Sequence, residues 1–600
     1  MPDDLQTSAV PADVPSQPTV HPLRWWPAAA LLLLMAALRY GLGSAESPSL
    51  SMMMLAFMGP AAACLLILIW WCFGSAAAVR EKAIGLIGLV LIAVLSIAFM
   101  HPSLQGMATV IMVVPTGIAL FTAALILFSR QPKWRLPVAL VAAAIGFGFW
   151  NLKQSEGVTG QFESQLLWRW QPTAEQSYLK ELASRETTKP VDGGDVITLA
   201  DAQWPAFRGA DRNGVVRGVA LMEDWDTTPP ALVWKHRIGP AWSSFAVAGN
   251  RIYTQEQRGD EEAVLCLDAD TGRSIWTHAY PSRFWEAIGG AGPRATPTYA
   301  DEGLFALGAD GILMALDPTD GTLRWERDLK DDARRDPPQW GFSSSPLVVD
   351  GKVIVHAGGE DDLGLLAYEA IDGSIAWSVP SGDHSYSSAQ LAEFFGTAGI
   401  LMMTNQALQF VSIADGSTIW QHDWPVENYR AIQPLVVSDM VLIGTSLGEG
   451  TRKIQVIWNE PDTTWSTIER WTSLDLKPDY NDYVVADGFL YGFDRNIFAC
   501  IDLKSGQRQW KRGRYGNGQV LLLADADQLL VSSEKGEVVL LRANPEQLQE
   551  TTRFQALDGK TWNHPVLVGD RLYIRNAQEA ACYQMPLKKN ETPEQDLAAK

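Results

Sequence analysis

A short phrase ending in tryptophan recurs along the C-terminal part of the chain and limits the possible folds more than any other feature. It reads LDADTGRSIW to Trp276, LDPTDGTLRW to Trp325, YEAIDGSIAW to Trp377, SIADGSTIW to Trp420 and IDLKSGQRQW to Trp510, each with glycine four residues before the tryptophan. The Asp- and Ser-rich approach and the glycine describe a tight turn that needs a positive φ, and the alternating run beyond it describes a strand leaving that turn. A hairpin that returns roughly every 40 to 50 residues is the mark of a blade.

Trp234, Trp471 and Phe554 keep the aromatic and lose the glycine spacing, which brings the aromatic positions to eight. The aliphatic strands that open each repeat give a second count: they start at Ser243, Ala295, Ser344, Ser387, Gln433, Asp482, Gln519 and His564, again eight. The expected fold is therefore an all-β, eight-bladed β-propeller. A propeller closes by borrowing a strand from the other end of the domain, so Ala231 to Ile238 is expected to pair with Ala580 to Met585. An open β-solenoid or a sandwich is the alternative, and the blade-like period disfavours it.

The composition of the 600 residues, 47% hydrophobic with net charge −20, averages over two unlike parts. Apolar runs at Trp25 to Leu42, Met53 to Phe73, Ala83 to Met100, Met107 to Phe128 and Leu136 to Trp150 approach the ~20 residues that cross a bilayer. About five transmembrane helices are expected to precede the propeller. Arg24, Arg80, Lys82, Arg130, Lys133 and Arg135 flank these runs on one side, with Arg39 dissenting. The positive-inside rule then puts the N-terminus in the cytoplasm and everything after Trp150 outside it. The expected location is a bacterial inner membrane, with a cytoplasmic tail at 1–23, a membrane domain at 24–150 and a juxtamembrane helical spacer at 151–203. The propeller at 204–586 is periplasmic and is followed by a flexible tail at 587–600. Within the spacer, Thr173 and Gln176 form a capping box for a helix. Cys266, Cys500 and Cys582 occupy one position in three repeats, too far apart to bridge, and Cys64 and Cys72 lie inside an apolar run. Buried free thiols are expected.

At these turns the chain resembles the pyrroloquinoline quinone (PQQ) repeat family, which includes quinoprotein alcohol and glucose dehydrogenases and noncatalytic propellers such as BamB. The lead-in WPAFRGADRNGVVRG, Trp204 to Gly218, resembles that of related envelope propellers. The spans also resemble the layout of membrane-bound glucose dehydrogenase. If PQQ binds, the resemblance implies a site over the central axis. There the loops into the innermost strands carry Trp242, Arg294, Trp340, His384, Tyr386, Tyr429, Arg430, Asp482, Asn517, Asn563 and His564. Arg294 and Arg430 would hold carboxylates, Trp340 would stack on the quinone, and Asp482 would ligate Ca²⁺ or act as a base.

The opposing reading is that these groups solvate the mouth and satisfy turn backbones. No adjacent cysteine pair, no long insertion and no C-x-x-C-H is present, and no confident metal-ligand set emerges. The acidic balance disfavours nucleic acid as a partner. Two functions remain. One is a noncatalytic envelope scaffold whose loops meet proteins or polymers. The other is a PQQ-dependent dehydrogenase that passes electrons from an alcohol or sugar to membrane quinone.

Overall fold

The computed structural model describes residues 23–41, 50–160, 164–184, 198–427, 429–445 and 449–588. The N-terminal tail, most of the loop at 43–50 and nearly all of the C-terminal tail lie outside these residues. The chain divides into two compact units, residues 1–155 with 166–171, and residues 156–165 with 172–600.

The first unit is helical. Among the described residues, four helices are long and apolar enough to cross a membrane: Met54–Gly74, Val79–Phe99, Thr109–Leu127 and Pro132–Leu152. The first apolar run forms the shorter helix Trp26–Gly41, whose last five residues are a wider π-helical turn. At 1.5 Å per residue its described part covers roughly 24 Å of the ~30 Å hydrocarbon core. Small residues let these helices approach one another: a Cβ at Gly117 would overlap the ring of Phe147.

The second unit carries the expected ring of eight four-stranded antiparallel sheets. They are numbered blade 1 (246–281), 2 (298–328), 3 (347–379), 4 (390–423), 5 (435–473), 6 (484–511), 7 (519–555) and 8 (566–584 with 231–237). Blade 8 closes the ring as the sequence predicts, with Ala231–Arg237 antiparallel to Glu579–Gln584 and Trp234 opposite Cys582. Several strands are not foreseen: Val215–Val216 runs parallel to the innermost strand of blade 7, Trp285–Glu286 pairs with Gly290–Ala291, and in the expected helical spacer Lys153–Val158 and Ser164–Trp168 are strands.

The repeated tryptophan does two things. Its ring is buried, or half-buried at Trp471, and its indole N–H donates to a carbonyl in the third-to-fourth-strand turn of the next blade. The pairs are Trp234 to Ala269 (2.9 Å), Trp276 to Pro318 (3.1 Å), Trp325 to Ala370 (2.9 Å), Trp377 to Ile413 (3.0 Å), Trp471 to Leu503 (3.1 Å) and Trp510 to Asn544 (2.9 Å). Glycine is needed in that turn for a second reason beyond its positive φ. At Gly373 (φ +71°) a Cβ would sit 2.7 Å from the Trp325 ring of the preceding blade. One motif thus builds a turn and the seam beside it.

Departures from the motif follow from the same geometry. The outer hairpin of blade 5, Gly450–Asn459 with Thr464–Ser473, has ten-residue strands that carry its turn past Trp420. The buried indole N–H of Trp420 accordingly has no partner among the described residues. In blade 7 the position in register with the other tryptophans is Thr552, and Phe554 lies two residues further along. The eighth aromatic position is therefore corrected. Blade 8, the next in the ring, has no third-to-fourth-strand turn, because those strands come from opposite ends of the domain; nothing there asks for an indole. Trp225 fills the space instead, 5.5 Å from Phe554.

The three cysteines of the ring are buried and unbridged, and each faces a tyrosine: Tyr253, Tyr491 and Tyr573. The capping box is formed as expected, with Gln176 N–H donating to Thr173 Oγ1 (3.1 Å) and Thr173 N–H donating to Gln176 Oε1 (3.0 Å). Its helix, Ala174–Ser184, packs on blade 1 through Tyr178, whose hydroxyl donates to Glu256 (2.7 Å).

Candidate functional site

The ring axis is filled by the chain itself. The lead-in touches the innermost strands of seven blades, or the residues entering them, and a stretch so short can do so only inside the central channel. Trp204 pairs with Val247 of blade 1, and Pro205 O accepts from Tyr299 N–H of blade 2. Arg212 donates to Ser345 O (3.1 Å), Pro346 O and Ala389 O (3.0 Å) at blades 3 and 4. Arg208 donates to Tyr483 O (2.9 Å) at blade 6, Gly214 O accepts from Leu522 N–H of blade 7, and Phe207 lies 4.8 Å from the ring of His564 at blade 8.

Both arginines are buried and both adopt left-handed backbone, φ +62° and +51°. Asp482, buried at the entry to blade 6, answers one of them, 3.4 Å from Arg208 and 3.2 Å from His564 Nε2. Burial alone would raise the Asp482 carboxyl, but Arg208 and His564 outweigh it and hold it below its ordinary value. Burial pushes the Arg212 guanidinium, which meets only carbonyls and a hydroxyl, down to about 9.

The loops entering the innermost strands build an aromatic mouth around this axis. Trp340 lies 4.3 Å from Tyr429 and 5.1 Å from Tyr386, with His384 5.0 Å from Tyr386. A second group joins Trp562 to Trp242 at 4.8 Å and to Tyr480 at 5.0 Å. Arg294 donates to Trp340 O (3.3 Å), Gly292 O (2.7 Å) and Gly290 O (2.9 Å), and pairs with Glu286 at 3.2 Å. Arg430 is fully buried, stacked 4.4 Å over Trp424 and donating to its carbonyl; burial brings it down to about 9. Asn563 donates to Ala241 O and Ser243 O, and Asn517 to Tyr480 Oη (2.9 Å).

The structure therefore brings Trp340, Tyr386, Tyr429 and His384 together, and Asp482 with His564. Arg294, Arg430 and Asp482 share no side-chain partner among the described residues, and each is engaged by different neighbours. Among the described residues, no group of three or more His, Cys, Asp or Glu is placed to hold a metal ion.

Sequence reasoning passes over two further buried charges of the mouth, Glu534 and Lys560. Lys560 Nζ lies 4.3 Å from the Trp562 ring and 4.9 Å from that of Trp242, donating to Val158 O (3.0 Å) and Ile288 O (3.1 Å). Burial lowers it to about 8. Glu534 accepts from Trp562 Nε1 (2.9 Å), Asn517 N–H (3.2 Å) and Gly160 N–H (2.5 Å). Nothing in SSEKG or DGKTW distinguishes these residues from ordinary turn charges.

A family model described as outer membrane protein assembly factor BamB matches residues 224–336, 260–512 and 393–547, together more than half of the chain. Among curated relatives, the BamB of Yersinia pestis is 25% identical over 285 residues, 43% of this chain and 70% of that protein. That of Escherichia coli K12 is 28% identical over 250 residues, 39% and 60%. The chain thus spans 60–70% of the length of these two relatives. Two solved structures are similar: BamB from Moraxella catarrhalis (14% identity, TM-score 0.43, 59% of this chain and 98% of that one) and a quinohemoprotein alcohol dehydrogenase from Pseudomonas putida HK5 (13%, 0.44, 66% and 83%). Likeness at that level says nothing about function.

Proposed function

Since the chain belongs to the family described as outer membrane protein assembly factor BamB, we propose that it is a noncatalytic scaffold of the bacterial envelope. Its apolar helices anchor it in the inner membrane, with the N-terminus cytoplasmic and the propeller periplasmic. The propeller's loops and blade edges meet envelope proteins.

The observation that carries this reading is the commitment of the charged groups an enzyme would need. A carboxylate-bearing quinone requires free guanidinium donors on one cavity, and a Ca²⁺ ion or a proton transfer requires an accessible carboxylate. Arg294 already meets carbonyls and Glu286, Arg430 meets Trp424, and Asp482 neutralises the buried Arg208 of the lead-in. As arranged, they do not fit PQQ.

The test is reconstitution of the detergent-solubilised chain with PQQ and Ca²⁺, followed by quinone absorbance and dye-linked activity on alcohols and sugars. Neither uptake nor turnover is expected. Stoichiometric uptake with turnover overturns the scaffold reading in favour of a quinoprotein dehydrogenase. Reporter fusions after Trp150 and before Arg24 test the orientation.

A further inference from the structure

Residues 156–160, Glu-Gly-Val-Thr-Gly, lie against the aromatic mouth and are held there by residues some 400 positions away. They belong to the propeller unit. The grip is on the main chain. Lys560 Nζ donates to Val158 O (3.0 Å), Glu534 Oε1 accepts from Gly160 N–H (2.5 Å), and Val158 N–H donates to Ile288 O (3.4 Å). Lys560 and Glu534 are 8% and 6% exposed, so a buried donor and a buried acceptor meet one short stretch of backbone. Side chains are excluded at two places. Gly157 has φ +111°, with the Ile288 carbonyl 3.0 Å from where its Cβ would be. A Cβ at Gly160 would lie 2.5 Å from the Asn517 amide.

Contacts that read backbone atoms, and side chains only by excluding them, recognise a conformation more than a particular sequence. We propose that the mouth is a peptide-binding site for an extended segment with glycine at two positions three apart, occupied in cis by residues 156–160 and open in trans to such a segment of a partner protein. The proposal rests on the scaffold reading and gives that scaffold a ligand class. Because the cis segment is tethered, it competes at an effective concentration near millimolar and masks the site from weaker or dilute partners.

The test uses the acetylated, amidated peptide SEGVTG (residues 155–160) carrying a fluorophore, with anisotropy read against the full chain in detergent. In the chain, Gly160→Trp drives the cis segment off Asn517 and frees the mouth; Val158→Pro, which deletes the N–H that meets Ile288, does so without a bulky group, and far-UV circular dichroism confirms folding. Both chains are expected to bind the peptide at least about ten-fold more tightly than the unaltered chain. Adding Glu534→Gln or Lys560→Met to either should reduce that binding about ten-fold, and a peptide with both glycines changed to valine should not bind. Equal binding by the unaltered and freed chains, or binding indifferent to Glu534 and Lys560, overturns the proposal. The scaffold reading would survive that result, since it fails only on uptake of PQQ with turnover.

Discussion

Replacing Trp325 and Trp420 by phenylalanine, one at a time, separates the two roles of the repeated tryptophan. Both side chains are buried, at 8% and 5% exposure, and both occupy the same register in blades 2 and 4, opposite Ala315 and Phe410. The loss of ring area is therefore common to the two substitutions. They differ in the indole N–H. That of Trp325 donates to Ala370 O at 2.9 Å across the seam to blade 3, whereas that of Trp420 is buried with no acceptor among the described residues. Trp325→Phe removes a hydrogen bond worth about 1 kcal/mol and leaves a buried carbonyl unsatisfied, for a total of about 1–3 kcal/mol. Trp420→Phe removes a desolvated donor that had gained nothing, recovering about 1 kcal/mol against the same loss of area. The Trp420 variant should thus be the more stable of the two by about 2–4 kcal/mol. Guanidinium unfolding of the detergent-solubilised chain, followed by circular dichroism so that the lost fluorophore does not matter, reads the difference. Equal midpoints, or a lower midpoint for Trp420→Phe, would refute the claim that the indole N–H ties blade to blade.

Three further outcomes follow from particular contacts. Gly373→Ala should cost about 2–4 kcal/mol, combining left-handed strain with a collision against Trp325, while Gly569→Ala (φ +56°, open space) should cost only about 1 kcal/mol; thermal midpoints distinguish them. Asp482→Asn leaves Arg208 buried without its countercharge and should cost about 3–5 kcal/mol, most of it recovered when Arg208→Met and Asp482→Leu are combined, as urea unfolding would report. Glu262 is raised to about 7, chiefly by burial, while Tyr280 and the more distant Arg294 pull it down and Asp310 pushes it up. The folded chain therefore holds a proton there that the unfolded chain releases near pH 4.5. The resulting stability, about 3 kcal/mol, is full below pH 4.5 and lost as pH rises through 7. Glu262→Gln should flatten this part of the pH profile and exceed the parent in stability at pH 8, but not at pH 5.

The blades were legible because the forces that build them are local and repeated. A turn glycine, a strand of alternating residues and a tryptophan at fixed offset lie within ten residues of one another, so sequence distance and spatial distance agree. The closing strand was legible for a different reason: a ring with one strand too few at one end and one too many at the other has a single way to close. Where expectation slipped, a long-range fact decided. By sequence Phe554 is the register aromatic, yet the bulge that sets the register between Leu540 and Leu541 leaves Thr552 there, and the ring that fills the gap belongs to Trp225, more than 300 residues upstream. The first apolar run is helical over Trp26–Gly41, the part of it that lies within the described residues.

The mouth was half legible, and the half that was missed alters what the other half does. Position along the repeat correctly gathers Trp340, Tyr386 and Tyr429, because every loop into an innermost strand arrives at the same end of the ring. Position gives a residue's place and leaves its partner unspecified. Asp482 and His564 look like an acid and a base until Arg208 and Phe207 are seen beside them, and those residues come from a segment with no repeat to announce where it goes. Arg294 looks like a carboxylate clamp until Gly290, Gly292 and Glu286 take its donors. In each case a charge that would be costly to bury alone is paired by a part of the chain that is not a blade. A propeller's axis is where unsatisfied groups from every blade converge, so something must satisfy them. Here the lead-in and residues 156–160 do so, and the aromatic and charged groups left at the mouth are arranged to receive a backbone.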